Sequence, residues 1–170
     1  MVEENNSINW VPAYLKDGRF KNIINSALDW NLSRDRYWAT PIPVWKGQKQ
    51  DGTEVVKVFG SYAEFSEFTG LSLDDYHLPN VINVTFQLDG ATMHHIGKVI
   101  DCWFESGSMP FAQFHYPFEN KQKFEDNFPG DFITEYIAQT RAWFYYMHVM
   151  SIGLFGKKCF KNVISHGTLA

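Results

Sequence analysis

The chain has 170 residues, of which 45% are hydrophobic, 17% aromatic and 20% charged, and its net charge is −4. That length suits about one ordinary domain, and so aromatic a composition excludes intrinsic disorder. No cluster of Lys and Arg marks a simple basic nucleic-acid module.

Taken in order, the N-terminal "MVEENNSINW" is acidic and polar, so no signal peptide is expected. In "WVPAYLKDGRFKNIINSALDW", Phe20, Ile23, Ile24, Ala27 and Leu28 recur at helical spacing and predict a helix over about 19–29. Pro41 and Pro43 in "ATPIPVW" then call for extended chain. Two Asp-Gly pairs, Asp51-Gly52 and Asp89-Gly90, predict tight hairpins pairing 44–50 with 54–59 and 83–88 with 91–96. Between them Ser61, with Glu64 three residues on, reads as a capping box, and Gly70 as the stop of a short helix.

From Lys98 the texture changes. "KVIDCWF" predicts a buried strand, "FENKQKFEDNFPG" a polar loop and "DFITEY" a short strand. Residues 137–155 predict a helix apolar nearly all round, and "FKNVISHG" another buried strand. Strand, long helix and strand make a right-handed βαβ unit. Cys102 and Cys159 are too few for a disulfide framework or a four-cysteine zinc site and read as buried free thiols, which suits a reducing compartment. The most apolar run, 142–155, is too short to span a bilayer, so the expected setting is cytoplasmic, with no membrane partner.

In open parallel sheets, ligands bind beyond the carboxyl ends of the strands. Three expected strands end in polar or small residues, at "WFESGS", at Thr134-Glu135 and at Ser165-His166-Gly167. Gln139, four residues after Glu135, falls in the first turn of the expected helix, so the two could face one ligand, and a carboxylate with an amide suits ribose hydroxyls and an ammonium group. The plain alternative is that both cap the helix. Trp103 and Trp143 flank the same rim and read either as core or as the apolar wall of a small aliphatic ligand's pocket. Gly167, after His166, allows close backbone approach. His94 and His95 are adjacent on a strand, point to opposite faces and read as surface imidazoles rather than a metal pair.

These strings carry a resemblance. "VIDCWFESGSMPFAQFHYPFEN", "DWNLSRDRYWATPIPVW", "FPGDFITEYIAQTRAWFYYMHVMSIGLFG" and "FKNVISHG" resemble, collinearly and over nearly the whole chain, the catalytic region of isoleucyl-tRNA synthetases. "DCWFESGSMP" with "QTRAWFY" favours isoleucine over the valyl and leucyl relatives, which share parts of the pattern. The resemblance implies an α/β fold, part of a Rossmann-type parallel sheet over 1–45 and 97–170, with a β-hairpin-rich connective insertion over 46–96. It implies isoleucine, ATP with magnesium, tRNA(Ile) and the remainder of the synthetase polypeptide as substrates and partners. It places Trp103 and Trp143 at the isoleucine side chain, Glu135 and Gln139 at the ribose and amino group of the adenylate, and His166, Gly167 and Leu169 near adenine.

Departures accompany it. Tyr136 and Ala138 stand where the family often has Gly and Asp. The hairpin block lacks the paired cysteines that hold zinc in many members, so a knuckle without zinc is expected. The triplet His95-Ile96-Gly97 is followed by Lys98 and is not the family's His-Ile-Gly-His signature. By the resemblance, the chain starts after that signature and the editing domain and stops before the Lys-Met-Ser-Lys-Ser loop. It is therefore expected to carry half of an adenylate site and to be inactive alone. A free-standing, noncatalytic binding module is the expectation that competes with this one.

Overall fold

The structure is a computed structural model that describes residues 1–27 and 29–168. Its elements in chain order are α1 (Val2–Asn6), β1 (Asn9–Val11), a π-helical turn (Lys16–Phe20), α2 (Lys21–Asn25), β2 (Ser33–Arg34), β3 (Val44–Gln48), β4 (Glu54–Val58) and α3 (Tyr62–Thr69). There follow α4 (Leu78–Val81), β5 (Thr85–Leu88), β6 (Ala91–His95), β7 (Val99–Ile100), α5 (Cys102–Gly107), α6 (Met109–Ala112) and α7 (Lys121–Asn127). The chain closes with β8 (Gly130–Tyr136), a 3-10 turn (Ile137–Arg141), α8 (Trp143–Phe155) and β9 (Phe160–His166). The fold is mixed α/β, with one parallel and two antiparallel sheets. It divides into two compact units, Met1–Trp30 with Cys102–Ala170, and Asn31–Asp101. The second is wider than the 46–96 expected from the hairpins, because it includes the Pro-rich segment and β7.

The first unit is built on a three-stranded parallel sheet in the order β1-β9-β8. β9 is central, with Val163 opposite both Trp10 and Ile133. β8, α8 and β9 form the expected βαβ unit. At the amino ends of β8 and β9, Lys161 Nζ donates to Asp131 Oδ1 at 2.8 Å and holds that carboxyl below its usual range. Phe144, Met147, His148 and Ser151 recur at i, i+3, i+4 and i+7 on the buried face of α8, while Leu154 is 60% exposed. The helix is thus apolar in composition but not buried all round. Its inner row joins Ile8, Trp10, Phe20 and Val163 in one core.

Several expectations are corrected in this unit. The helix expected over 19–29 is a π-helical turn followed by α2, ending at Asn25. Phe20 and Ile24 are buried and Ala27 is exposed, while Leu28 lies outside the described residues. The helix expected from 137 is broken at Ala142, whose φ of −133° and ψ of −114° end the 3-10 turn before α8 begins. The "polar loop" at 118–130 contains α7, anchored by buried Phe124 among Tyr116, Phe128 and Phe155. Cys159 is buried, which pushes its thiol far up, but Cys102 is exposed. β1 was not foreseen, since three residues are too few to show a period.

The second unit holds a four-stranded antiparallel sheet, β4-β3-β6-β5, with α3 and α4. Both hairpins form where the Asp-Gly pairs predict. At the second, Asp89 and Gly90 both take positive φ, as a two-residue turn requires. At the first only Gly52 does, and the turn spans 49–53, with Lys49 N–H donating to Thr53 O. Gly47 is a packing glycine, because a Cβ there would lie 2.6 Å from Thr92 O. The cap of α3 forms as expected: Ser61 Oγ accepts from Glu64 N–H at 3.1 Å, and Gly70 closes the helix at φ 72°. Glu64 Oε2 in turn accepts from Gly60 N–H, and Oε1 from Lys57 Nζ. Trp45 anchors the core beside Phe59 and Phe65, its indole N–H donating to Val84 O at 2.8 Å.

His95 is corrected from surface to core, while its neighbour His94 is exposed, as alternation on a strand demands. His95 bridges Ile42 O through Nε2 and Gly97 N–H through Nδ1. "KVIDCWF" is not one buried strand. Only Val99–Ile100 is extended, antiparallel to β2, and Asp101 carries the Arg34 ion pair before α5 begins.

Removing the Ser61 cap by Ser61→Ala should cost about 1 kcal/mol of stability, read as a lowered thermal midpoint. Burial holds both His95 and His148 below their ordinary value of 6.5, so each is kept neutral in the fold. Their contribution is fully present above that value and is lost as the pH falls through it toward their folded values. The urea midpoint should fall between pH 7.5 and 5.5, and His95→Gln, which can keep both hydrogen bonds, should flatten part of that slope.

Candidate functional site

The site is assembled in the first unit, at the carboxyl ends of β8 and β9. Parallel register sets Glu135 beside Ser165 and Tyr136 beside His166, so the polar ends of these two strands are neighbours. The third expected member of the rim, the end of "KVIDCWF", is not a strand end. Trp103 lies instead on α5, because Cys102–Gly107 is helical.

Glu135 is half-buried near the end of β8, and its Oε2 accepts from Tyr136 N–H at 3.1 Å. Gln139 lies in the 3-10 turn rather than in the first turn of an α-helix. Its Oε1 accepts from Trp143 N–H at 3.0 Å and so caps the start of α8. This fixes the orientation of the amide and leaves its NH2 as the group able to donate to a ligand. Both residues therefore do part of what the plain capping alternative assigned them, each through one oxygen.

The two tryptophans converge on the packing of α5 against α8. Trp103 stacks on Tyr146 with centroids 5.4 Å apart and planes at 16°, and remains 36% exposed. Trp143 is half-buried and donates through Nε1 to Ser106 O at 3.0 Å. Each ring is held by a second group, so the pair offers flat apolar surfaces in fixed orientations. Gly107 permits this packing, since a Cβ there would lie 3.1 Å from Met150 Sδ and 3.3 Å from the Tyr146 backbone.

His166 ends β9 with an exposed ring whose Nδ1 lies 2.8 Å from Gly167 O. Among the described residues beyond its chain neighbours, none lies within 4 Å of a Cβ built on Gly167. Leu169 lies outside the described residues. Among the described residues, no group of three or more His, Cys, Asp or Glu is arranged to hold a metal ion.

Two features of this region escape sequence reading. Ser165 is buried beside Glu135, and its Oγ has no hydrogen-bond partner among the described residues. The alternation of "FKNVISH" puts Ser165 on the face of Val163, and that was the available signal. Arg19 Nε donates at 2.8 Å to Oγ1 of fully buried Thr140, which itself donates to Ile137 O. This bond ties the π-helical turn to the 3-10 turn across 121 residues of sequence, and no local pattern announces it.

The family model for class I tRNA synthetases (I, L, M and V) matches residues 1–170. Curated relatives are isoleucine–tRNA ligases. Isoleucine–tRNA ligase 2 of Pseudomonas fluorescens is 50% identical over 171 residues, covering 99% of this chain and 16% of the relative. The isoleucine–tRNA ligase of Wolbachia sp. subsp. Brugia malayi is 48% identical over 174 residues, covering 99% and 15%. That of Bifidobacterium longum is 49% identical over 178 residues, covering 98% and 16%. The chain thus spans about a sixth of the length of these relatives. With its full length matched, the chain belongs to the class I tRNA synthetases of the I, L, M and V group.

Proposed function

We propose that this chain is part of an isoleucine–tRNA ligase, acting in the cytoplasm, and that its first unit supplies the second half of the isoleucyl-adenylate site in a Rossmann-type sheet. The observation that carries this is the near-50% identity to isoleucine–tRNA ligases along the whole chain; Glu135 and His166 lie at the carboxyl ends of the neighbouring strands β8 and β9, and Gln139 in the turn that follows β8. The parent reaction is attack of the isoleucine carboxylate on the α-phosphate of magnesium-bound ATP, followed by acyl transfer to tRNA(Ile). The residues here bind and orient, and positioning of this kind is a large part of the catalysis available to such a reaction.

In this reading Trp103 and Trp143 wall the isoleucine side chain. Stacking on Tyr146 holds Trp103, and the bond to Ser106 O holds Trp143, which favours a rigid wall. A rigid apolar slot rejects larger side chains but separates ligands differing by one methylene only about 10–200-fold. Glu135, with one oxygen engaged by Tyr136 N–H, offers the other to the ammonium group or a ribose hydroxyl. Gln139 offers its NH2, held in place by the capping bond. His166 and Gly167 border the adenine. Tyr136 and Ala138 offer neither a glycine's close approach nor a carboxylate, so ribose contacts at these two positions are not assigned to them. The second unit is the connective insertion, held by hairpin geometry and the Trp45 core without zinc.

Calorimetry of the chain with the isoleucyl, valyl and leucyl sulfamoyl-adenylates tests this reading, with the isoleucyl compound expected to bind tightest. Trp103→Ala should weaken it about tenfold, equivalent to ~1.4 kcal/mol, and Trp103→Phe should weaken it less. Equal binding of all three, or no effect at Trp103, would count against the pocket. The purified 170-residue chain should show no isoleucine-dependent pyrophosphate exchange, and robust exchange would refute its assignment as half a site.

A further inference from the structure

Thr140 follows Gln139 in the chain and is fully buried. Its hydroxyl donates to Ile137 O at 2.7 Å, inside the same 3-10 turn. A hydroxyl has one proton to give, so toward any group outside the turn Thr140 Oγ1 can only accept. Arg19 Nε supplies the matching donor at 2.8 Å. The base of Arg19 is itself fixed. Its neighbour Phe20 is fully buried, with a ring centroid 4.7 Å from that of Trp10 and 5.6 Å from that of His148. Both ends of the bond lie in the first unit. A residue anchored in the core thus reaches the turn that carries Gln139.

We propose that Arg19 is a positioning residue for the adenylate site: through Thr140 it fixes the 3-10 turn and so aims the Gln139 amide. A 3-10 turn has poorer hydrogen-bond geometry than an α-helix and gains from a tie outside itself. This one, Ile137–Arg141, stops at Ala142 and does not run on into α8, so no continuous helix stiffens it. With three residues per turn, successive side chains point about 120° apart. Holding Thr140 inward therefore sets the direction in which Gln139 leaves the turn. The Gln139 side chain is then fixed by Oε1 accepting from Trp143 N–H at 3.0 Å. A hydrogen bond given by a guanidinium is charge-assisted and among the stronger ones a protein makes. Arg19 also sits in a π-helical turn, Lys16–Phe20, and single π turns occur frequently at functional sites. Its part in ligand binding rests on the reading of Gln139 as an adenylate contact.

Variants of the 170-residue chain test the tether. Arg19→Met keeps the side chain's reach without the donor, Arg19→Gln places an NH2 where Nε stood, and Thr140→Val removes the hydroxyl. The first readout needs no ligand: amide exchange at Trp143, whose N–H Gln139 holds, against the amides of β9. Arg19→Met and Thr140→Val should each speed exchange at Trp143 about tenfold, the worth of one hydrogen bond to a charged group. The β9 amides should stay unchanged, and Arg19→Gln should stay near wild type. The second readout is calorimetry with the isoleucyl sulfamoyl-adenylate. Arg19→Met should weaken binding about tenfold, alone and added to Trp103→Ala, but should add nothing to Gln139→Ala, because residues acting through one group are not additive. A merely structural role would instead weaken binding in every background and speed exchange in β9 as well. Unchanged exchange at Trp143, an equal rise in β9, no rescue by Arg19→Gln, or a further tenfold loss on top of Gln139→Ala would each overturn the proposal. If the wild-type chain binds no analogue while Arg19→Met still loosens Trp143 alone, the adenylate reading falls and the tether stands.

Discussion

The first unit depends on the parallel pairing of β9 with strands on both sides. Both edges of β9 are used, by β1 through Val163 and Trp10 and by β8 from Phe160 to His166. Register cannot slip by one residue without turning Val163 out of the core and Ile164 into it. The same register that buries Val163 sets Ser165 beside Glu135 and His166 beside Tyr136. The core and the chemistry at the rim are therefore specified by one set of backbone hydrogen bonds. α8 lies on this frame through Phe144 and Met147, and its start carries Trp143.

What was legible in the sequence was local. Asp89-Gly90 can form a two-residue turn unaided, Ser61 finds its partner three residues away, and "FKNVISHG" and "DFITEY" carry enough apolar character to declare strands. What was not legible depended on distant partners. Val99 and Ile100 look like the start of a buried strand, but they pair with Ser33 and Arg34, and the helix from Cys102 packs on α8. The break at Ala142 is accompanied by the Gln139 side chain accepting from Trp143 N–H, a pairing no hydrophobic period encodes. His95 was misjudged because a polar residue beside charged neighbours looks exposed until its strand face is known. Of the candidate site, the residue types were readable, and so was the proximity of the β8 and β9 ends. The placement of Trp103 on a helix was not.

The candidate site residues already commit part of their polar atoms to the fold. Gln139 caps α8 with its oxygen, and Glu135 receives a backbone N–H on one of its own. Such double use costs a ligand little, because each side chain is already ordered before anything binds and less rotamer entropy remains to be lost. The stacking of Trp103 on Tyr146 and the indole bond of Trp143 to Ser106 act in the same way on the apolar side.

The short ribbon of β2 with β7 has a consequence for how the chain could change over time. Ser33 stands opposite Ile100 and Arg34 opposite Val99, with Arg34 bonded to Asp101. The second unit therefore receives and returns the chain at one place. To the first unit, everything from Asn31 to Asp101 behaves as a closed loop whose ends are already joined, so the entropy of joining them is carried within the second unit. Length changes at the exposed hairpin turn of 49–53 would therefore leave the pairing of β2 with β7 in place.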